Sequence, residues 1–298
     1  MLGIKSIYIK HYKKLLIIPI LILLLAFIQI GYQYSTTGDF INRGLLLKGG
    51  TRLTITTNEI VDLDELESMI KEEFTKEIAL GSMAAAGKQT GITIDADIES
   101  KEETALILSV VEKKLGPLTK NDYSEQHVGS GLGASFFKET IYAIILAFVF
   151  MSIVVFIIFR IPTPSLAVIL SAFSDMVVTL AVVNLIGMKV GIGGIAAFLM
   201  LIGYSVDTDI LLSNKLIKSK DGSVLDRLFK AMKTGLTMSL STIVAVSIAL
   251  YFSQSEIIRQ IMTILLIGLL IDLVNTWIQN AGLLRLFLEK KHKHHGEV

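Results

Sequence analysis

The chain has 298 residues, of which 52% are hydrophobic and 18% charged, a balance too apolar for the surface of a water-soluble domain. Its formal net charge of +1 leaves neither sign in excess, which excludes a general affinity for nucleic acid. The absence of cysteine excludes disulfides, thiol catalysis and cysteine-held metals together.

From the N-terminus, Lys5, Lys10, His11, Lys13 and Lys14 precede an apolar run from about Leu15 to Tyr34. Crossing a bilayer takes about 20 helical residues, and no small-residue cleavage site follows the run. The pattern therefore predicts a retained first transmembrane helix rather than a removed signal.

From Ser35 to about Ser135 the composition becomes that of a water-soluble domain of ordinary size. Gly44 to Thr57 alternates like a strand, with Gly49 and Gly50 marking a bulge or a close backbone approach before Thr51. Asp62 to Ile78 predicts a helix with Asp62 or Asp64 as N-cap and Leu63, Leu66, Met69, Ile70 and Phe74 on one face. Ile78 to Met83 and Gly91 to Ile98 read as strands on either side of a turn at Ala84 to Thr90. Glu102 to Leu115 predicts a second amphipathic helix ended by Gly116 and Pro117, and Tyr123 to Val128 a last strand. Strand, helix, strand, strand, helix, strand is the order of the split βαβ, ferredoxin-like domain.

Five more apolar spans follow, at about Phe137 to Phe159, Pro164 to Ile186, Ile192 to Asn214, Gly235 to Phe252 and Ile257 to Leu284. Arg160, the basic connection at 215–233 (Lys215, Lys218, Lys220, Arg227, Lys230, Lys233) and the tail (Arg285, Lys290, Lys291, Lys293) fall on the side of the N-terminus. The opposite connections, Gly187 to Gly191 and Ser253 to Glu256, offer only Lys189. The positive-inside rule then predicts a cytoplasmic N-terminus and first helix over 1–34 and an external domain over 35–135. A five-helix region over 136–286 and a cytoplasmic tail over 287–298 complete the organisation. The tail's His292, His294 and His295 are read as solvated, and the basic connection as a topology determinant that could also touch anionic lipid.

The polar residues inside the spans are the informative ones. The fourth span carries Asp207 and Asp209, the third Asp175 with Ser171, Ser174 and Thr179 on the same face, and the sixth Asp272 with Gly268, Asn275, Thr276 and Gln279. The fifth offers Thr234, Thr237 and Ser241, and all these faces are expected to turn inward together. A carboxylate in hydrocarbon costs about 2.5–3.5 kcal/mol on insertion scales, so it is kept where it meets protein, water or a partner. No Lys or Arg lies at comparable depth. A buried carboxylate without a cation is driven toward its neutral form, which makes a group able to gain and lose a proton as its access to water changes. The simpler alternative is interhelical hydrogen-bond glue, worth about 0.6–2 kcal/mol per contact. Asp207 and Asp209 are two residues apart and so sit on nearly opposite helix faces, and Asp209 could lie at the cytoplasmic boundary. Gly193, Gly194 and Gly203 predict close helix packing, with a break at Gly203 as the alternative. No phosphate-binding loop, HExxH or nucleophile elbow is present, so neither enzyme activity nor a cofactor is expected.

Five stretches carry a family resemblance: KGGT at Lys48 to Thr51, VGSGLG at Val128 to Gly133, GYSVDTDILL at Gly203 to Leu212, KTGLTMSLST at Lys233 to Thr242 and DLVNTWIQNAG at Asp272 to Gly282. Together they resemble the archaeal type of SecF, of the SecD/SecF family in the resistance-nodulation-division superfamily. The resemblance implies a six-helix membrane protein that pairs with SecD, assists the SecY channel and uses the proton-motive force to promote export of a polypeptide in transit. It implies a role for Asp207, which falls where SecD proteins have the Asp of a Val-Asp-Ala-Asn motif, and for Asp175, which matches an Asp of the third helix in bacterial relatives. Bacterial SecF tends to read Asn-Asp-Thr where this chain has Asp207, Thr208 and Asp209, so either aspartate is a candidate carrier. Asp272 resembles the archaeal sequences. A small-solute or lipid proton antiporter of the same superfamily is the competing reading.

Overall fold

Six helices are long and apolar enough to cross a membrane: His11–Thr37, Ser130–Phe159, Pro162–Leu185, Ile192–Ile217, Val224–Phe252 and Ile257–Lys290. They are called the first to sixth spans. The structure is a computed structural model that describes residues 11–294 except 58, 77, 86, 87, 99, 220, 221 and 254. Lys5, Lys10, Lys220 and His295 lie outside the described residues.

The span ends follow from local chemistry. Gly38 closes the first span in the left-handed conformation, and Pro162 occupies the first turn of the third, where a missing N–H costs nothing. Ser223 and Asp226 form a reciprocal capping box that starts the fifth span well before Gly235, so Arg227, Lys230 and Lys233 stand on its first turns. The third and fourth spans are the most enclosed, while the first, second and fifth lie at the periphery. Gly193 and Gly194 bring the fourth span against Ile257 and Ile264 of the sixth, and Gly268 of the sixth admits Leu201 of the fourth.

Between the first and second spans lies a four-stranded antiparallel sheet in the order β2-β3-β1-β4, where β1 is Gly50–Thr56, β2 Ile78–Ala85, β3 Lys88–Ala96 and β4 Tyr123–Val128. Leu53 of β1 faces Ile94 of β3 and Glu125 of β4. The helices Leu63–Glu73 and Lys101–Leu115 supply Leu66, Ile70, Ile107 and Val111, which join Leu53, Ile55, Ile92 and Ile94 in one buried core. Asp62 caps the first of these helices by accepting from the Asp64 and Glu65 amides. That helix stops at Glu73 rather than near Ile78, because Phe74 is already extended toward β2. The strands reach further than expected at Met83 and Gly91, since β2 runs on to Ala85 and β3 begins at Lys88.

The expected strand over Gly44 to Thr57 is also corrected. Leu45–Lys48 is a single helical turn, and β1 begins only at Gly50. The cause is long-range: the Gly44 amide donates to Val190 O (2.8 Å), and Val190 N donates to Asn42 O (2.7 Å). Asn184 at the end of the third span adds bonds to Phe40 O (2.9 Å) and from the Asn42 amide (3.3 Å). The chain after the first span is thus tied to the connection between the third and fourth, on the same side of the bundle as the sheet.

At the β4 edge of the sheet, β4 ends at Val128 and the second span begins at Ser130, with only Gly129 between them. There the two glycine motifs meet. A Cβ on Gly133 would stand 2.6 Å from Gly49 N and 2.8 Å from Lys48 C, and one on Gly49 would stand 2.5 Å from Ser130 Cα. Gly49 and Gly50 have φ of 97° and 127°, which reverses the chain into β1. Thr51 then anchors the strand, donating to Ile98 O at 2.9 Å, with His127 Nδ1 at 3.0 Å from the same hydroxyl.

One glutamine joins the fourth and sixth spans at this end. Gln260 Oε1 accepts from the Gly191 (3.1 Å) and Gly194 (2.9 Å) amides, and its Nε2 donates to Lys189 O (2.6 Å). These bonds satisfy orphan amides of the first turn of the fourth span. Gln260→Leu is expected to lower stability by about 2–3 kcal/mol, at about 1 kcal/mol per bond lost. A lower Tm for the purified chain in detergent checks this.

Candidate functional site

The third, fourth and sixth spans enclose a carboxylate cluster. Asp175 and Asp209 are fully buried and Asp272 is 1% exposed. Asp175 is held at both oxygens, accepting from Ser205 Oγ (2.5 Å) and from Asn275 Nδ2 (2.8 Å). Asp209 accepts from Asn280 Nδ2 (2.7 Å) and Asp272 from Thr276 Oγ1 (2.9 Å). Gln279 Nε2 donates to Ser174 Oγ (3.1 Å). Asp272 stands near enough to Asp175 and to Asp209 for their charges to interact. No Lys or Arg pairs with any of the three among the described residues.

Most of the neutral partners come from one place. Asn275–Asn280 is a π-helical stretch within the sixth span, and it supplies Asn275 to Asp175, Thr276 to Asp272, Gln279 to Ser174 and Asn280 to Asp209. A wider turn lets these side chains share one side of the helix, a device that recurs at functional sites. Trp277 of the same stretch lies on Gly235 of the fifth span, where a Cβ would collide with the indole.

The structure brings Asp175, Asp209 and Asp272 together and leaves Asp207 out. Asp207 is exposed and borders an open groove of about 620 Å³ with Asn214, Lys215, Lys218 and Met238. Gly203 shares that outward face: the helix runs unbroken through it, and a Cβ added there would meet no atom within 4 Å. The expectation that the fifth span turns its hydroxyls inward is overturned. Thr234, Thr237 and Ser241 are exposed and bond to the carbonyls of Lys230, Lys233 and Thr237 on their own helix. That span buries Gly235, Ser239 and Val246 instead. Ser205 and Asn280 join the cluster without a signal in the sequence that marks them. Asn280 lies about 80° from Asp272 on a wheel of 3.6 residues per turn, and the π turn swings it in.

Six apolar helices of membrane-crossing length, with ionisable groups sequestered between three of them, define a polytopic membrane protein. Residues 108–290 match the family described as protein export membrane protein SecD/SecF, C-terminal. The SecF protein of Pyrococcus furiosus is 37% identical over 281 residues, covering 94% of this chain and 92% of its own. That of Methanocaldococcus jannaschii is 36% identical, covering 94% of this chain and 97% of its own. The chain belongs to the SecF family of protein-export membrane proteins. Its fold is similar to the crystal structure of SecDF, a translocon-associated membrane protein from Thermus thermophilus, with a TM-score of 0.75 at 17% identity. The match covers 95% of this chain but 38% of that longer one.

Proposed function

We propose that the chain works as the SecF-type member of a pair with SecD, beside the SecY channel in the cytoplasmic membrane, and that protons exchanging at Asp175, Asp209 and Asp272 drive its external domain to assist a polypeptide in transit. The observation that carries the reading is the cluster itself: three buried carboxylates on three spans, with no Lys or Arg paired to them among the described residues. Their charge state and the packing of those spans are therefore linked. One charge moved through 100 mV supplies about 2.3 kcal/mol for mechanical work.

Other features support the remaining parts. The strand order β2-β3-β1-β4 with antiparallel neighbours is that of a ferredoxin-like domain. The basic residues Arg160, Lys215, Arg227 and Arg285 lie at span ends away from the sheet, which favours cytoplasmic termini and an extracytoplasmic domain. Asp207 on an outward face is costly against lipid, and a second membrane chain there, SecD in this reading, would cover it. The test is co-purification from native membranes, followed by export into vesicles carrying Asp175→Asn or Asp272→Asn with the gradient intact and collapsed. SecD and SecY are expected in the eluate, with the gradient-dependent part of export lost in both variants. Unchanged export together with failed solute efflux would replace this reading with the antiporter.

A further inference from the structure

The first and sixth spans cross at their basic ends, far from the carboxylate cluster. Leu16 of the first span fills the space beside Gly282 of the sixth, where an added Cβ would stand 2.7 Å from Leu16 Cδ2. One turn beyond, the buried Tyr12 ring carries the Arg285 guanidinium at 3.9 Å, and the Lys13 ammonium lies 5.8 Å from the same ring. Glu289 is the one acidic residue of 11–38 and 281–294, and both its oxygens are taken. Oε1 accepts from Arg285 Nε (3.0 Å) and Oε2 from the Tyr12 hydroxyl, so this carboxylate orients the guanidinium. Arg285 Nη1 is shut off from water and has no protein partner. A charged N–H left that way is costly, and an anionic oxygen is the acceptor that relieves it. The Arg285 side chain is 13% exposed, which places it at the rim of the bundle rather than in its middle.

We propose that this crossing binds the phosphate of one anionic phospholipid, with Arg285 and Lys13 as its cationic contacts. Phosphate is an anion whose geometry the guanidinium fork matches, and the two cations outnumber Glu289, whose charge is already engaged. Lys14 and Lys290, both exposed, add to the positive field at the span ends, where such basic sites hold phospholipid head groups. A lipid is favoured over a free anion by what lies beneath. Ile17, Ile20 and Leu24 follow Lys13 at three- and four-residue spacing, and each leaves more than half of its surface exposed. An anchored phosphate therefore continues into a track for hydrocarbon chains on the same helix face. The site stands apart from the carboxylate cluster and does not depend on what that cluster does.

The experiment uses the full-length chain in detergent, with energy transfer from Trp277, its one tryptophan, to dansyl-labelled phosphatidylglycerol. Trp277 lies about two turns before Arg285 on the sixth span, within range of a label held there. Unlabelled phosphatidylglycerol should abolish the transfer at a concentration at least about tenfold below that of phosphatidylcholine with the same chains, and sodium phosphate should not abolish it. Arg285→Gln should raise the competing concentration of phosphatidylglycerol at least about tenfold and Lys13→Gln about fivefold. Lys215→Gln, at the end of the fourth span, should leave it unchanged. Lys13 is exposed, so Lys13→Gln keeps the test decisive should Arg285→Gln unsettle the Tyr12 and Glu289 contacts. Equal competition by the two lipids, displacement by sodium phosphate as effective as by lipid, or an unchanged midpoint in both Arg285→Gln and Lys13→Gln overturns the proposal.

Discussion

Asp209→Asn is expected to remove the gradient-dependent component of export while leaving the chain folded. The amide is close in shape to the carboxylate, and its oxygen can still accept from Asn280 Nδ2, the bond that holds the side chain at 2.7 Å. What disappears is the capacity to carry charge. One charge crossing 100 mV is worth about 2.3 kcal/mol and each 1.36 kcal/mol is tenfold in rate, so the loss should reach up to about fiftyfold. Reporter export into vesicles, with the gradient imposed and then collapsed, measures it. Asp207→Asn is the contrast: on an outward face with no share in the cluster, it should keep gradient-stimulated export largely intact and instead lower recovery of the partner chain on co-purification. A reversed pattern, with Asp207→Asn inactive and Asp209→Asn active, would remove the buried cluster from the mechanism.

Gly133→Val is expected to be the most damaging substitution outside the cluster. Its side chain would enter the crossing of the Lys48 to Gly50 segment with the second span, where the nearest atoms are backbone: Gly49 N at 2.6 Å and Lys48 C at 2.8 Å. Backbone cannot rotate away as a side chain can, so relief requires the sheet to separate from the helix that follows it. Overpacking of this kind costs about 1–3 kcal/mol or more. It should appear as a lower Tm and as faster proteolysis between residues 38 and 50. Gly131→Ala, two residues earlier with open space around its Cβ position, should be neutral or stabilising by up to about 1 kcal/mol, because alanine favours helix. Equal Tm values for Gly133→Val and Gly131→Ala would refute the close crossing.

Much of the fold is written locally. The spans are set by runs of apolar residues, and the caps at Asp62, Ser100 and Ser223 mark helix starts by chemistry that a short window contains. The site is less legible, for a reason particular to membranes. In a soluble helix the apolar side marks the inside, but in the fourth span both sides are apolar, so spacing separates Asp207 from Asp209 without saying which faces the protein. The fifth-span hydroxyls mislead similarly, because a Ser or Thr can satisfy itself on a carbonyl one turn back and remain against lipid. The π stretch escapes any reading that assumes 3.6 residues per turn, and with it the role of Asn280. Gly44 shows the remaining limit: its neighbours alternate like a strand, yet its partner is Val190, far away in sequence.

The junction of β4 with the second span has a mechanical consequence. With only Gly129 between them, strand and helix would turn together as the two arms of a bent lever if the second span tilts, with the Gly49 and Gly133 contact as fulcrum. The 30-residue helix is about 45 Å long at 1.5 Å per residue, so tilting it by about 10° sweeps its far end through about 8 Å. The six-residue β4, about 20 Å long at about 3.3 Å per residue, would sweep about 3–4 Å for the same turn, so the lean inside the bilayer would reach the sheet as a smaller stroke.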